Sequence, residues 1–386
     1  VGLDPAEVRR RNLVPPDAFP HRSATGLVYD SGDYEAALGM ALEAVDYDGV
    51  RREQSARRES GDRVLPGVGM ATFVDRTAGV PGSEYGSVEL LADGGLRVLT
   101  GSSPYGQGHH TSWAMLVSDR TGVPMERIEV VHGDTAVVPR GGVTGGSRSV
   151  QKAGSALALA SDELVRRARE AAADLLEAAV DDVVLDTASG GRFHVAGTPA
   201  RAVGWADVAA SPAALATEDR SLRCEVDFSG DSTFPSGAYV AVVEVDTDTG
   251  KVDLRRFVAV DDAGRILNPL LAEGQVHGGL AQGIAQALYE EFVYDDDGNP
   301  LTVTFADYGI PAATELPPFE SLLRETPSPN NPLGAKGIAE SGSIGAPPAV
   351  QNAVVDALSH LGVRHIDMPC TPERVWAAIR RSQEAE

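Results

Sequence analysis

One carboxylate stands in an unusual setting in this sequence. From Pro332 to Pro348 the chain reads PLGAKGIAESGSIGAPP, so Glu340 is flanked by glycines and alanines too small to cover it. A carboxylate left open among small residues can act as a general base toward a ligand that the backbone approaches closely. Four glycines in twelve residues, Gly334, Gly337, Gly342 and Gly345, would allow positive φ and that close approach. Pro347-Pro348 is expected to end the loop. An amphipathic helix is expected after it, because Val350, Ala353, Val354, Ala357, Leu358 and Leu361 recur at helical spacing. Its N-terminal amides would face the loop and favour an anion. The bland alternative is a solvated glutamate in a surface loop.

Two further segments place small residues at a strand-to-helix bend. A hairpin reads from SVELL through the turn Ala92 to Gly95 into LRVLTG. Directly after it come Gly106, Gln107, Gly108, His109 and His110, then a helix through Trp113, Met115 and Leu116. Loop amides and a helix dipole converge at such a bend, which makes it a platform for phosphate. The spacing is neither GxGxxG nor GxxxxGK[ST], which excludes a Rossmann site or a P-loop. Past a strand at Ile128 to Val131, the second segment, Gly141 to Ser149, sets Thr144, Gly146, Ser147, Arg148 and Ser149 ahead of an alanine-rich helix from Lys152 to Ala179. Small hydroxyl residues around one arginine suit phosphate oxygens, with Arg148 as a forked donor. A second hairpin, Tyr239 to Val245 and Lys251 to Val260, is again followed by a loop (Ala263-Gly264, Asn268-Pro269) and the glycine-rich helix EGQVHGGLAQGIAQALYEE. Hairpin, loop and helix thus read as an internal duplication.

Hydrolytic chemistries fit less well. His109, His110, His132 and Asp134 could be gathered around a metal, but adjacent histidines diverge on a strand or a helix, unlike an i, i+4 pair. No GxSxG elbow supports a serine hydrolase. Anion cradles and one loop carboxylate remain, a combination suited to a large phosphate-bearing cofactor with a base beside its reactive end.

The elements that must hold these loops form a mixed α+β chain of 386 residues. Asp4, Pro5 and Glu7 mark a helix start, Asp33 to Val45 a second helix, and Arg51 to Arg63 a solvated basic helix face. Residues 1–65 are expected as a helical segment packing on another chain, residues 66–236 as a first cofactor-binding subdomain, and residues 237–386 as a second that carries the Glu340 loop. No initiator Met precedes Val1, and the expectation is the downstream part of something longer. A formal charge of −23 argues against nucleic acid or an anionic membrane as partner. No apolar run nears the ~20 residues of a membrane span, no export signal is present, and the cytoplasm is the expected compartment. Only Cys224 and Cys370 occur, so the chain itself cannot ligate an iron–sulfur cluster.

The strings YGQGHHTSWAMLVSDRTGVPMERIEVVHGDT, GGSRS, INPLLAEGQVHGGLAQGIAQALYEE and PLGAKGIAESGSIGAPPAVQNAVVDAL give the resemblance to a family. Their order and spacing resemble the molybdenum-binding large subunit of the xanthine dehydrogenase / aldehyde oxidase family, most of all its carbon-monoxide-dehydrogenase-type members. The resemblance implies a molybdenum–molybdopterin cytosine dinucleotide, its metal held by the pterin and not by protein side chains. Cofactor contacts would come from Gly106, Gln107, Gly108 and His109, from Thr144, Gly146, Ser147, Arg148 and Ser149, and from Lys336 and Gly337. Glu340 would be the base in a hydroxylation of CO, an aldehyde or an N-heterocycle that uses water as oxygen source. Iron–sulfur clusters and FAD would lie on partner chains. Ala339 departs from the Gly usual before that Glu. Family large subunits are about twice as long, and their upstream half carries a further cofactor loop and the loop that selects substrate. A non-catalytic fragment or assembly subunit is the alternative.

Overall fold

The computed structural model describes residues 2–217 and 221–384. Helix α1 (Pro5–Arg10) opens the chain, with the Asp4 carboxylate accepting from the amides of Ala6 and Glu7 as the sequence predicts. A small ribbon, β1 (His21–Arg22) with β2 (Val28–Tyr29), and helices α2 (Tyr34–Ala44) and α3 (Tyr47–Ser60) follow.

From Val64 the chain runs twice through one series: a leading strand, a hairpin, a loop and helix, a strand, a loop and a second helix. The first pass is β3 (Val64–Val74), β4 (Glu84–Leu90), β5 (Leu96–Thr100), α4 (His109–Thr121), β6 (Ile128–Val131) and α5 (Ser155–Leu176). A three-stranded sheet of β7 (Val183–Asp186), β8 (Arg192–Val195) and β9 (Thr198–Gly204), with short helices α6 (Trp205–Ala209) and α7 (Pro212–Leu215), separates the passes. The second pass is β10 (Arg223–Phe228), β11 (Ser236–Asp246), β12 (Val252–Asp262), α8 (Pro269–Leu288), β13 (Phe319–Arg324) and α9 (Ser341–Leu358), and α10 (Pro372–Glu384) closes the described chain.

Both hairpins are antiparallel and both take the next strand in parallel, β6 on β5 and β13 on β12. The leading strands are exchanged. β3 pairs with β11 along its whole length, Val64 opposite Asp246 and Val74 opposite Ser236, while β10 pairs with β4. The sheets therefore run β10-β4-β5-β6 and β13-β12-β11-β3. Where the connections cross, Thr77 bridges Thr233, their hydroxyls 2.8 Å apart. This exchange corrects the expected domain boundaries. Division after residues 65 and 236 would cut β3 from the sheet it completes and put it with the other.

Helices α4 and α5 cover the first sheet around Trp113, Leu157 and Leu164. Helices α8 and α9 cover one face of the second, burying Val276, Leu280, Ile284 and Leu288 as the sequence stripe predicts. Helix α9 lies so close on β3 that a Cβ on Gly69 would sit 2.1 Å from the Ala353 amide nitrogen. The other face of that sheet is covered by α2 and α3, whose Leu38, Leu42 and Val50 pack with Val68, Met70, Val240 and Val258. The N-terminal helices thus find their companions within this chain, not on another. Nor is the basic run on α3 simply solvated, since Arg51 is half-buried, 2.9 Å from the Asp356 carboxylate of α9. Among the described residues no helix is long and apolar enough to cross a membrane.

Helix α9 also begins earlier than the prolines suggest. It starts at Ser341, with Glu340 as its cap, and contains Pro347 and Pro348. Packing outweighs the lost backbone hydrogen bonds: Pro347 Cδ lies 2.9 Å from the point where a Cβ on Gly283 would stand, so proline ring and glycine nest against each other. Of the four loop glycines only Gly334 takes a positive φ, and Gly342 serves close contact with Gly279 instead.

Candidate functional site

The duplicated topology brings four helix N-termini to one cleft. Its walls include Gln107 and His109 before and at the start of α4, Ser147 to Val150 at the start of the π-helical turn Val150–Gly154 that runs into α5, Arg265 to Asn268 with Leu271 and Ala272 at the start of α8, and Lys336 to Glu340 ahead of α9. Each helix start presents amides without intrahelical acceptors, and the four macrodipoles together make the cleft favourable to an anion despite the −23 charge of the chain. Thr144 and Ser149 line the same cleft, their hydroxyls 3.4 Å apart. Gly106, Gly108 and Gly146 do not line it but shape its loops with φ of +108°, +77° and +62°. The glutamine expected as a ligand donor, Gln107, here accepts the amide of Tyr105 through its side-chain oxygen.

The loops before α5 and α9 touch each other. Ser147, at φ +47°, accepts the amides of Ala339 at 3.1 Å and Glu340 at 3.3 Å on its hydroxyl oxygen. Gly337 is squeezed between Ser147 and Thr77, where a Cβ would lie 2.4 Å from Ser147 Cβ. Gln151 ties the arrangement together, donating to Thr77 Oγ1 at 3.1 Å and to the Ser147 carbonyl at 3.2 Å.

Among the described residues, three buried polar atoms on the cleft lining have no hydrogen-bond partner: His109 Nδ1, Arg148 Nε and Glu340 Oε2. Burial, and the carboxylate of Asp75 beside it, push the Glu340 carboxyl above the ordinary glutamate range, against the lowering effect of backbone hydrogen bonds from Glu340, Ser147 and Gly146. Burial likewise holds the His109 imidazole below the usual histidine range, which favours its neutral form. A protonatable carboxylate, a neutral imidazole and converging amides can together hold an oxygen-rich anion and move one proton beside it.

Two expected ligand donors are engaged elsewhere. Arg148 is buried with its Nη2 3.4 Å from the carboxylate of Glu84, which also accepts the amide of Gly142 at 3.0 Å and the hydroxyl of Ser102 at 3.2 Å. The guanidinium fastens the loop to the start of β4 and is not an open fork. Lys336 lends its backbone to the cleft, but its ammonium turns inward and donates to the Ser31 carbonyl at 2.9 Å, 4.0 Å from Asp30. The cation left to the cleft is Arg265, which forms no ion pair among the described residues and stands just ahead of Asn268, whose side chain caps α8. Its signal was an arginine three residues before an Asn-Pro helix start. The histidine cluster does not assemble: His110 and His132 meet at 2.9 Å through their Nε2 atoms, but no group of three or more potential ligands occurs among the described residues.

Comparison with known proteins agrees with this geometry. Residues 40–317 match the molybdopterin cofactor-binding domain family. The chain is 38% identical over 397 residues to the carbon monoxide dehydrogenase large chain of Hydrogenophaga pseudoflava, covering 98% of this chain and 49% of that one. It is 36% identical to the 6-hydroxypseudooxynicotine dehydrogenase complex subunit gamma of Paenarthrobacter nicotinovorans, covering 100% of this chain and 49% of that one. Of solved structures, Cu,Mo-CO dehydrogenase matches with a TM-score of 0.92 at 33% identity over 99% of this chain and 50% of its own. Quinoline 2-oxidoreductase from Pseudomonas putida 86 matches with a TM-score of 0.89 at 34% identity over 98% and 50%. The chain spans about half the length of the curated relatives it matches. With two exchanged strand-helix units, four helix starts at one cleft and the match over residues 40–317, the chain belongs to the molybdopterin cofactor-binding family and corresponds to the C-terminal half of its xanthine dehydrogenase / aldehyde oxidase-type large subunits.

Proposed function

We propose that this chain forms half of the catalytic unit of a molybdenum hydroxylase, acting with a body equivalent to the other half of the large subunit. The observation that carries this reading is Glu340, a carboxylate with raised affinity for a proton, set at a helix N-terminus where three other helix N-termini converge. A pterin dinucleotide is the ligand we read for the cleft. Its diphosphate would take the amides before α4 and α8 and the Arg265 guanidinium, while the unpartnered His109 Nδ1 and Arg148 Nε offer hydrogen-bonding positions on the wall. The cytosine form is our reading from the bacterial resemblance.

When bound, the molybdenum–pterin group would supply two-electron oxidation of substrate with water as oxygen source. The chain's own part is positional and protic. Ser147 holds the amides of Ala339 and Glu340, fixing the carboxylate toward the cleft, and Oε2 is the atom available to take a proton. Burial brings the basicity of that carboxylate nearer to neutral pH, which suits a general base. Electrons would leave through iron–sulfur and FAD subunits, since two cysteines, Cys224 and Cys370, are too few to ligate an iron–sulfur cluster. The cytoplasm is the compartment we assign.

The test is to purify the chain from a molybdopterin-producing host, alone and with the complementary half of a family large subunit. Molybdenum content and dye reduction with CO, xanthine and an aromatic aldehyde are then measured. Molybdenum and activity are expected only in the combined preparation. A loaded, active lone chain would overturn the two-body reading, and a combined preparation without molybdenum would overturn the cofactor.

A further inference from the structure

Helix α8 joins the cleft at one end to an exposed apolar arm at the other. At the cleft end Leu271, Ala272 and Gln275 line the wall, while their neighbour Leu270 is 77% exposed. Residues four apart along the helix, Gly274, Gly278, Gln282 and Gln286, are exposed and uncharged, and Glu273 is the only carboxylate in α8. Neither Gly274 nor Gly278 has any atom within 4 Å of where a Cβ would stand. Glycines in a helix interior weaken it relative to alanine and are ordinarily explained by a neighbouring backbone, as at Gly279 and Gly283 of the same helix. At Gly274 and Gly278 no such neighbour is present among the described residues.

Beyond the helix, the chain turns into an arm. Leu301 donates its amide to the Val293 carbonyl at 2.8 Å, and Tyr294 bridges Pro300. The rings of Phe292 and Tyr294 lie 5.1 Å apart on this arm. Val303 and Phe305, which follow, are 68% and 85% exposed. Asp295, Asp296 and Asp297 place charge at the turn of the arm, whereas from Gly298 to Ala306 no residue is charged, in a chain where 23% are. A run of exposed apolar side chains poor in charge is the composition of a covered interface and not of a free surface. With 20 residues at ~1.5 Å rise each, α8 extends this strip over roughly 30 Å from the cleft mouth to the arm.

We propose that the open side of α8 and the arm at residues 292–305 form the docking surface for the other half of a family large subunit, so that the body covering this strip also closes the cleft. This rests on the two-body reading above. The matched relatives and solved structures are twice as long as the match, so a body of similar size to this chain accompanies each of them. The strip starts at residues that line the cleft, so the same body reaches the open side of the cofactor site. Close helix packing against Gly274 and Gly278 explains the two glycines that nothing among the described residues explains.

The experiment co-expresses this chain with a separate polypeptide, the part of the Hydrogenophaga pseudoflava carbon monoxide dehydrogenase large chain outside the match, and reads complex formation by native mass spectrometry. Gly278→Arg and Phe305→Asp are the variants. Both positions are open, so each variant chain alone is expected to melt no lower than wild type, which separates docking from folding. Wild type is expected to form a 1:1 complex, and each variant to weaken it at least tenfold. A wild-type complex that survives both substitutions would overturn the docking surface while leaving the cofactor reading untouched. No wild-type complex, or a dimer of this chain lost on Gly278→Arg, would overturn the named occupant. A complex formed as expected but free of molybdenum would count against the cofactor reading and not against the surface.

Discussion

The hydroxyl oxygen of Ser147 lies 3.3 Å from the amide nitrogen of Glu340 and accepts its hydrogen, joining the loop of one strand-helix unit to the backbone of the other at the residue that bears the carboxylate. The same oxygen accepts the Ala339 amide at 3.1 Å. Ser147→Ala leaves both amides without this acceptor and is expected to destabilise the chain by about 1–3 kcal/mol, two ordinary hydrogen bonds' worth. Hydrogen–deuterium exchange should rise first in residues 337–344. Ser147→Gly, which relieves the φ of +47° but also lacks the hydroxyl, should show the same exchange with a smaller loss of stability. Unchanged exchange in both variants would separate the two loops energetically.

Arg148 and Glu84 form a buried pair whose side chains are 5% and 0% exposed. Removing one partner strands a buried charge, so Arg148→Ala is expected to cost about 3–5 kcal/mol in the cofactor-free chain, seen as a lower urea midpoint. Arg148→Met combined with Glu84→Gln should recover most of that loss. An arginine kept only for phosphate would leave the midpoint of the cofactor-free chain where it was.

Three carboxyls, Asp75, Asp261 and Glu340, have a pH dependence opposite to that of surface acids. Asp261, fully buried and accepting from Tyr239 Oη at 2.7 Å, is pushed up by burial to about 7, and Glu340 is raised as well. Each binds its proton more tightly folded than unfolded. Their stabilising effect is therefore fully present below the ordinary carboxyl range and is lost as pH rises through the folded values. Between pH 5 and 8 the unfolding free energy of wild type is expected to fall relative to that of Asp261→Asn, while His109, His132 and His360, held below the usual histidine range by burial, act in the opposite direction in both chains. A difference between wild type and Asp261→Asn that does not change with pH across this window would contradict the assignment.

Local pattern made much of the site legible. Glu340, Ser147 and His109 stand in short glycine-rich strings between a strand and a helix, and each is found on or beside the cleft. The duplication was visible because both hairpins carry period-two alternation followed by a glycine-rich helix. What stayed hidden depends on contacts distant in sequence. The exchange of β3 and β10 is a long-range pairing that alternation cannot register. Glu84 is a lone acid opening a strand, 64 residues from the arginine it holds. Lys336 has the side chain of a phosphate ligand, and only its burial beside Asp30 shows that the ammonium faces inward. Pro347 and Pro348 read as a helix stop because proline removes a donor, whereas packing on α8 keeps them within α9.

Turnover per bound molybdenum in Glu340→Gln tests whether Glu340 takes the proton at a molybdenum cofactor bound in this cleft. The change is nearly isosteric and removes a charge that burial disfavours, so the variant should fold and retain cofactor. The expected result, in the complete complex, is molybdenum content equal to wild type with turnover per molybdenum lower by roughly two or more orders of magnitude, the scale of losing a general base. Wild-type turnover per molybdenum in Glu340→Gln would contradict it.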